Sequence, residues 1–283
     1  MTSPSPRPSP EGRGGWIVAI SLLVIVTILI APYLPAGIDW RNTYRPATLA
    51  VMRGENPYGE SIFYAAPWSV IPLMPFAMLP YPLGRAGTFM LGLCIFAWTS
   101  TRLGARRWTF ILFMTSAAVI GCLNNGNIEW LGFFGFALPP MWGLLLVMVK
   151  PQIGIGIAFF WLAEAWRTGG IRKAVWTFAP VTCAFLISFW MYGLWPLRFS
   201  STLRLSVDNE AVFPFALCAG LALIAQAIRA RDERFAIGAG PFLAPYVLQF
   251  TWGSVLLALV TDPLLCFAVW IGLWLVVIIR IFL

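Results

Sequence analysis

Apolar stretches of roughly membrane-spanning length recur along this chain from Trp16 to its last residues. A helix needs about 20 apolar residues to cross the hydrocarbon core of a bilayer, and the segments between these stretches are too short to build a water-soluble core. Hydrophobic residues make up 60% of the 283 positions and charged residues 11%, against roughly a quarter charged in soluble domains. The sequence therefore predicts an all-α, polytopic bundle of transmembrane helices.

We predict a single integral-membrane domain over residues 16–283, preceded by a disordered cytoplasmic tail at residues 1–15 that is rich in Pro, Ser and Gly. The first span covers residues 16–34. A long first outer loop follows at about residues 35–82, and its proline-rich part at 67–80 is expected to form a juxtamembrane or re-entrant segment. The further apolar runs are 84–101, 108–123, 128–138, 141–149, 152–166, 174–195, 212–228, 236–260 and 263–281.

The distribution of lysine and arginine orients these runs. With the N-terminus in the cytoplasm and 67–80 not counted as a crossing, the runs alternate as about ten transmembrane helices. The basic cluster at 102–107 and Arg280 then both face the cytoplasm. We therefore expect a multi-pass protein of the plasma (inner) membrane, with both termini cytoplasmic and the loop at 35–82 on the outer face.

Several function classes are excluded by composition. The net charge of +8 does not indicate nucleic-acid binding, because the basic residues are scattered between apolar runs rather than gathered into a patch. The chain has no histidine, which removes Ser-His and Cys-His pairs and metal sites that need imidazole. The five cysteines lie in apolar runs without CxxC spacing, and we interpret them as small apolar residues. Acid–base chemistry must therefore use the eleven carboxylates.

Asp39 is the first candidate among these carboxylates. It follows the first span by about five residues in the sequence GIDWRNTY. Taken alone, it is typical of a solvated loop charge. The loop is rich in polar and aromatic side chains, which recur where a sugar ring is stacked and its hydroxyls are hydrogen-bonded. Aromatic belts at membrane interfaces explain the tyrosines equally well. The candidate substrate-binding residues of this loop are Arg41, Tyr44, Arg45, Tyr58 and Tyr64.

A second group of candidates surrounds a broken helix pair. Prolines at 139–140 separate two apolar runs that are too short to span a membrane, and Lys150 precedes the next proline. Bare backbone polar groups in lipid cost several kcal/mol each, so such breaks indicate a protein-lined or water-filled cavity. We expect this cavity to open to the outer face. Its candidate residues are Asn125, Asn127, Glu129, Lys150 and Gln152.

Two of these residues have alternative interpretations. A lysine within the membrane indicates a functional site by default. Lys150 could bind a phosphate, and Gln152 could add hydrogen bonds. It could instead extend to the outer headgroups. Glu129 could belong to the site, or it could be a charge favoured by the dipole at a helix N-terminus.

The order of motifs between about residues 37 and 167 is distinctive. An Asp after the first span is followed by a Gly-x-x-Pro-Tyr element and then by an aromatic-Tyr-x-x-Pro run. A Pro-Phe…Leu-Pro segment comes next. Further along the chain are an Asn-Gly-Asn element and a Lys-Pro at the end of a short helix. In this order the chain resembles the polyprenol-phosphate-mannose-dependent mannosyltransferases, integral-membrane glycosyltransferases of the GT-C fold. The residues are Asp39, Tyr44, Ala47, 54–58, 63–67, 75–80, 125–127 and 150–151.

The resemblance implies an inverting transfer of a sugar at the outer face of the cell envelope, from a polyprenyl-phosphate donor to a lipid or glycan acceptor, with Asp39 as general base. Mannose is the expected sugar, and glucose and arabinose stay open. The leaving group is already a phosphate, so no second carboxylic acid has to protonate it. Lys150 is the best-placed cation for that phosphate, followed by Arg41 or Arg45. No cofactor is required; a divalent metal is compatible with the mechanism, but nothing indicates one.

The chain also departs from the family. The glutamine usually found after the glycine of the Asn-Gly element is missing, the chain is short, and its last hundred residues match poorly. Two other function classes therefore stay open: a non-enzymatic transporter or lipid- or glycolipid-translocating protein, and a structural subunit. One outer cavity around Asp39, Glu129 and Lys150 would favour the enzyme, and a continuous pore would favour transport.

Overall fold

The computed structural model describes residues 10–59, 63–198 and 209–282, and all regular secondary structure in these ranges is helical. The predicted all-α fold is confirmed. Short π- or 3₁₀-helical turns occur at Trp40–Tyr44, Pro67–Leu73, Trp195–Arg198 and Gln249–Trp252. The α-helices are α1 (Pro10–Ile30), α2 (Arg45–Met52), α3 (Met74–Ala77), α4 (Tyr81–Arg102), α5 (Arg107–Met114), α6 (Ala117–Asn125), α7 (Glu129–Phe136), α8 (Pro140–Val147), α9 (Pro151–Tyr192), α10 (Leu217–Ala230), α11 (Glu233–Leu243), α12 (Gly253–Ala258) and α13 (Pro263–Phe282).

Two of the described helices, α9 and α13, are long and apolar enough to cross a membrane. The pair α5 and α6, bent by 44° at a short break, makes a third candidate if it is counted as one span. The apolar part of α1 at Val18–Ile30 and the whole of α10 are apolar but shorter. The chain thus has helices suited to a membrane, while the expected count of about ten spans is not confirmed.

Two of the predicted runs differ from the observed helices. The run 108–123 is split because Ser116 begins a new helix, with its hydroxyl accepting a hydrogen bond from the Val119 amide. The run 236–260 is split after α11, where the backbone turns extended at Ala244. The helix α9 covers two predicted runs, 152–166 and 174–195, and its backbone is non-helical between them, at Gly169 and at Gly170, where φ is +59°.

The helix α1 begins before the predicted first span at residues 16–34. Residues 1–9 lie outside the described residues, but α1 already begins at Pro10. Proline suits the first turn of a helix, because the amide hydrogen that it lacks would have no helical partner there. The predicted disorder of the tail at residues 1–15 stays a prediction.

The loop after α1 is fixed to the end of α6 by a buried arginine of α4. Arg85 is 2% exposed, and its guanidinium donates hydrogen bonds to the carbonyl oxygens of Leu123, Asn124 (3.0 Å) and Pro35 (3.2 Å). It satisfies carbonyls that a helix C-terminus leaves without partners. The role of Arg85 is therefore internal, since it joins α4, the loop after α1 and the end of α6.

Gly126 allows the same loop to pack closely. It ends α6 in the left-handed conformation, with φ at +70°, which glycine adopts without strain. A Cβ atom at this position would lie 2.6 Å from the Cβ of the fully buried Trp40. The absence of a side chain therefore lets the turn that follows Asp39 rest directly against the end of α6.

We expect Gly126→Ala to destabilise the protein more than Gly54→Ala does. Both glycines have positive φ, +70° and +76°, so both alanines carry a similar backbone strain of roughly 1 kcal/mol. A Cβ at Gly54 meets nothing within 4 Å, whereas overpacking against Trp40 should add about 1–3 kcal/mol. Thermal unfolding of the detergent-purified variants measures the difference. Equal unfolding midpoints would contradict the close packing at Trp40.

Candidate functional site

Asp39 is held by two amide side chains from the turn between α6 and α7. Its Oδ2 atom accepts hydrogen bonds from Nδ2 of Asn125 at 2.8 Å and from Nδ2 of Asn127 at 2.6 Å. The Oδ1 atom of Asn127 accepts a hydrogen bond from Nζ of Lys150 at 2.7 Å. Asn127 is thus a bridge between the carboxylate and the ammonium group.

The chemistry of its neighbours fixes the orientation of the Asn127 amide. A carboxylate only accepts hydrogen bonds and an ammonium group only donates them. Turning the amide over would place its oxygen against Asp39 and its NH₂ group against Lys150, and both contacts would become repulsive. The Asn127 oxygen also accepts a hydrogen bond from the Glu129 backbone amide at 3.1 Å, which holds the side chain in the same orientation.

Behind Asn127 lies a buried ion pair. Nζ of Lys150 is 3.4 Å from Oε1 of Glu129, and their side chains are 4% and 0% exposed. The same glutamate oxygen accepts a hydrogen bond from the Thr251 hydroxyl at 2.8 Å. Buried ions offset their desolvation only through close pairing and further hydrogen bonds, and both are present here. The positive charge of Lys150 is therefore balanced inside the protein.

Asp39 and Lys150 line one cavity of about 410 Å³, a size typical of small-ligand sites. Most of the residues that line it have polar groups on their side chains, which suits a hydroxylated or charged ligand. The polar side chains in the wall are Asp39, Asn42, Thr43, Tyr44, Tyr64, Asn125, Asn127, Lys150, Gln152, Tyr246, Gln249 and Arg280.

Most of the residues predicted from the sequence come together at this cavity. Glu129 is not in the wall but lies directly behind Lys150. The predicted residues that line the cavity are Asp39, Tyr44, Tyr64, Asn125, Asn127, Lys150 and Gln152.

Three predicted substrate-binding residues are not brought to the cavity wall. Arg41 is exposed on the surface, and the guanidinium of Arg45 lies 5.7 Å from the ring centre of Tyr81. Tyr58 is buried, with its ring stacked on Trp195 at 5.5 Å between centroids. Its hydroxyl donates to the Ala65 carbonyl oxygen at 2.8 Å. Tyr58 therefore packs the interior rather than presenting a face for a sugar.

Tyr44 is a neutral component of the wall. Its buried ring lies 6.0 Å from Nζ of Lys150, a distance suited to a cation–π contact. Burial raises the pKa of the Tyr44 hydroxyl well above its usual range, and the negative charge of nearby Asp39 raises it further. The hydroxyl therefore stays protonated at neutral pH.

A second, mostly apolar cavity of about 370 Å³ adjoins the first. Tyr64, Gln152 and Tyr246 belong to the walls of both cavities. The remainder of the second wall includes Phe185 and Leu243. A ligand with a polar head and an apolar tail could occupy both cavities at once.

The second half of the chain supplies wall residues that the sequence analysis did not identify. Tyr246 and Gln249 lie in the break between α11 and α12, and Arg280 lies near the end of α13. A charged residue inside an apolar helix was the available signal for Arg280, but the alternation of spans assigned it to the cytoplasm.

The alternation of spans places Arg280 and Asp39 on opposite sides of the membrane, whereas the structure brings both into the wall of the same cavity. The helix α1 has 21 residues, about 31 Å of length, and it ends nine residues before Asp39. The cytoplasmic position of both termini stays a prediction.

No three Cys, Asp or Glu side chains within residues 10–59, 63–198 and 209–282 are grouped closely enough to hold a metal ion. Comparison of the chain with models of protein families, with curated proteins and with solved structures finds no match. The cavity and the chemistry of its wall are therefore the basis for assigning a function.

We expect Lys150→Met to lower the free energy of unfolding by about 3–5 kcal/mol, because Glu129 would be left as a buried charge without its cation. Adding Glu129→Gln should recover much of this loss, since the neutral amide can still accept the Thr251 hydrogen bond. Thermal unfolding of the two single variants and the double variant measures the coupling. A double variant as unstable as the sum of the two single changes would contradict the buried pair.

Proposed function

We propose that this chain is a membrane glycosyltransferase that moves a sugar from a polyprenyl-phosphate donor to an acceptor hydroxyl at the outer face of the plasma (inner) membrane. The observation that carries the proposal is a single carboxylate, Asp39, held by two amides at the wall of a polar cavity. The resemblance to the polyprenol-phosphate-mannose-dependent enzymes makes mannose the first sugar to test.

The proposed reaction needs one base. The acceptor oxygen attacks the anomeric carbon of the donor sugar while Asp39 takes the hydroxyl proton. The bond between the anomeric carbon and the phosphate oxygen breaks, and polyprenyl phosphate leaves with the electron pair. Attack from the face opposite the leaving group inverts the configuration at the anomeric carbon.

The amides of Asn125 and Asn127 support Asp39 in this role. Both donate to the same carboxylate oxygen, so the carboxylate cannot rotate freely about its side chain. A base that is fixed in position transfers a proton with less reorganisation, and general-base catalysis contributes about 10²–10⁴-fold to a rate. Asn127 is in turn fixed by Lys150.

The two adjoining cavities suit an amphipathic donor. The polar cavity offers side chains for the hydroxyls of a sugar and for a phosphate, and the apolar cavity offers space for the first units of a prenyl chain. Tyr64, Gln152 and Tyr246 border both cavities, at the place where the polar and apolar parts of such a donor meet.

We propose that the whole chain forms a membrane-embedded bundle of about ten helices. In such a bundle, the acceptor is a lipid or a small glycan.

We expect Asp39→Asn to reduce sugar transfer by about 10²–10⁴-fold, because the amide has the size of the carboxylate but cannot accept the proton. The assay is transfer of radiolabelled sugar by membranes that contain the chain, with mannosyl-, glucosyl- and arabinosyl-phosphate polyprenols supplied separately together with broad acceptor lipids. Arg41→Gln is the matched control. It changes a charge two residues away on the exposed surface and should leave transfer near the wild-type rate.

Two results would count against the proposal. Full transfer by a folded Asp39→Asn variant would remove Asp39 as the base. Absence of transfer by the wild-type chain from all three donors would favour the transporter, lipid-translocating or structural alternatives.

A further inference from the structure

We infer that Arg280 is the residue that binds the anionic phosphate of the ligand in the cavity, and that Glu210 holds its guanidinium until the anion arrives. The identity of the ligand rests on the proposed function. The binding of a phosphate by Arg280 can be tested without any sugar transfer.

Arg280 is in position for this role. It lies near the end of α13 and lines the same cavity as Asp39. Its side chain is 44% exposed, and one of its nitrogens, Nη1, lies 3.0 Å from Oε1 of Glu210. An arginine carries five N–H donors in a planar fork that matches two phosphate oxygens at once. The contact with Glu210 uses one nitrogen of Arg280, so the other N–H groups of the guanidinium can bind an anion.

Lys150, the cation that the sequence favoured, is less suited to the same role. Its ammonium group is buried and already donates to Asn127 and to Glu129. Two of its three N–H donors are used in these contacts, and an anion at Lys150 would share its positive charge with the buried Glu129 carboxylate. Displacing Asn127 from Lys150 would disturb the amide that holds Asp39. The lysine is therefore committed to the geometry of the base, and the exposed arginine can serve the ligand.

Glu210 is the fixed member of the second ion pair. Its side chain is 10% exposed, and its backbone amide donates to the Val247 carbonyl oxygen at 2.7 Å. The neighbouring Asn209 donates to the Pro245 carbonyl oxygen and accepts a hydrogen bond from the Val247 amide. The segment that carries Glu210 is thus tied to the break between α11 and α12. When an anion enters, the long arginine side chain is the group that can change partner.

The two basic residues of the cavity wall, Lys150 and Arg280, therefore have different roles. The Lys150–Glu129 pair is buried and rigid, whereas the Arg280–Glu210 pair is partly exposed. Solvent at the exposed guanidinium of Arg280 weakens its attraction to Glu210, so a phosphate can compete with Glu210 for this side chain. The ammonium orients the base, and the guanidinium neutralises the leaving group.

The experiment measures binding of farnesyl phosphate, a short polyprenyl phosphate without sugar, to the purified full-length chain in detergent. Farnesol, which lacks the phosphate, is the matched ligand control. We expect Arg280→Gln to weaken farnesyl phosphate binding at least tenfold, and Arg280→Lys to weaken it less. Glu210→Gln removes the competing carboxylate and should strengthen binding several-fold. Farnesol binding should be unchanged in all three variants.

The direction of the Glu210→Gln effect decides between an anion site and a purely structural pair. If this variant weakens farnesyl phosphate binding or leaves it unchanged, the inference is overturned, even if Arg280→Gln does not fold. Equal binding by wild type and by folded Arg280→Gln would overturn it as well. If farnesyl phosphate binds as expected while no donor supports transfer, the phosphate site stands and the glycosyltransferase proposal falls.

Discussion

The geometry of the cavity depends on one amide. Asn127 donates to Asp39 with its nitrogen and accepts from Lys150 with its oxygen, so it connects the loop after α1, the turn after α6 and the start of α9. Each connection requires a particular local structure. Gly126 lets that turn close against Trp40, and Arg85 binds the end of α6 to the loop that carries Asp39.

The charges of the site are arranged in layers. The innermost pair, Glu129 and Lys150, is buried and is completed by Thr251. Asp39 is connected to this pair through Asn127 and lines the cavity. Arg280 lies in the cavity wall near the end of α13. A carboxylate oriented by buried groups and an arginine accessible from the cavity together suit a reaction in which a proton leaves the attacking oxygen on one side of the reacting carbon and a phosphate leaves that carbon on the other side.

The first half of the site could be predicted from the sequence because its residues interrupt apolar runs at helix breaks. Asn125, Asn127 and Lys150 each lie at such a break, where a polar side chain needs a polar neighbour. Tyr58 and Arg45 do not line the cavity, and loop composition does not show whether a ring faces a cavity or packs against Trp195. Arg280 was missed because counting spans requires correct helix boundaries, and two of the predicted runs are split by local backbone features that hydropathy does not record.

The central claim, that the ligand sits between Asp39 and Arg280, is tested most directly by photo-crosslinking. A polyprenyl-phosphate sugar with a photoreactive group on the sugar would be irradiated with the purified chain, and the modified peptides identified by mass spectrometry. We predict labelling at 38–44, 125–127 and 246–250, which is suppressed by an excess of unlabelled donor. Competable labelling confined to other segments, or labelling that an excess of donor does not suppress, would contradict the account.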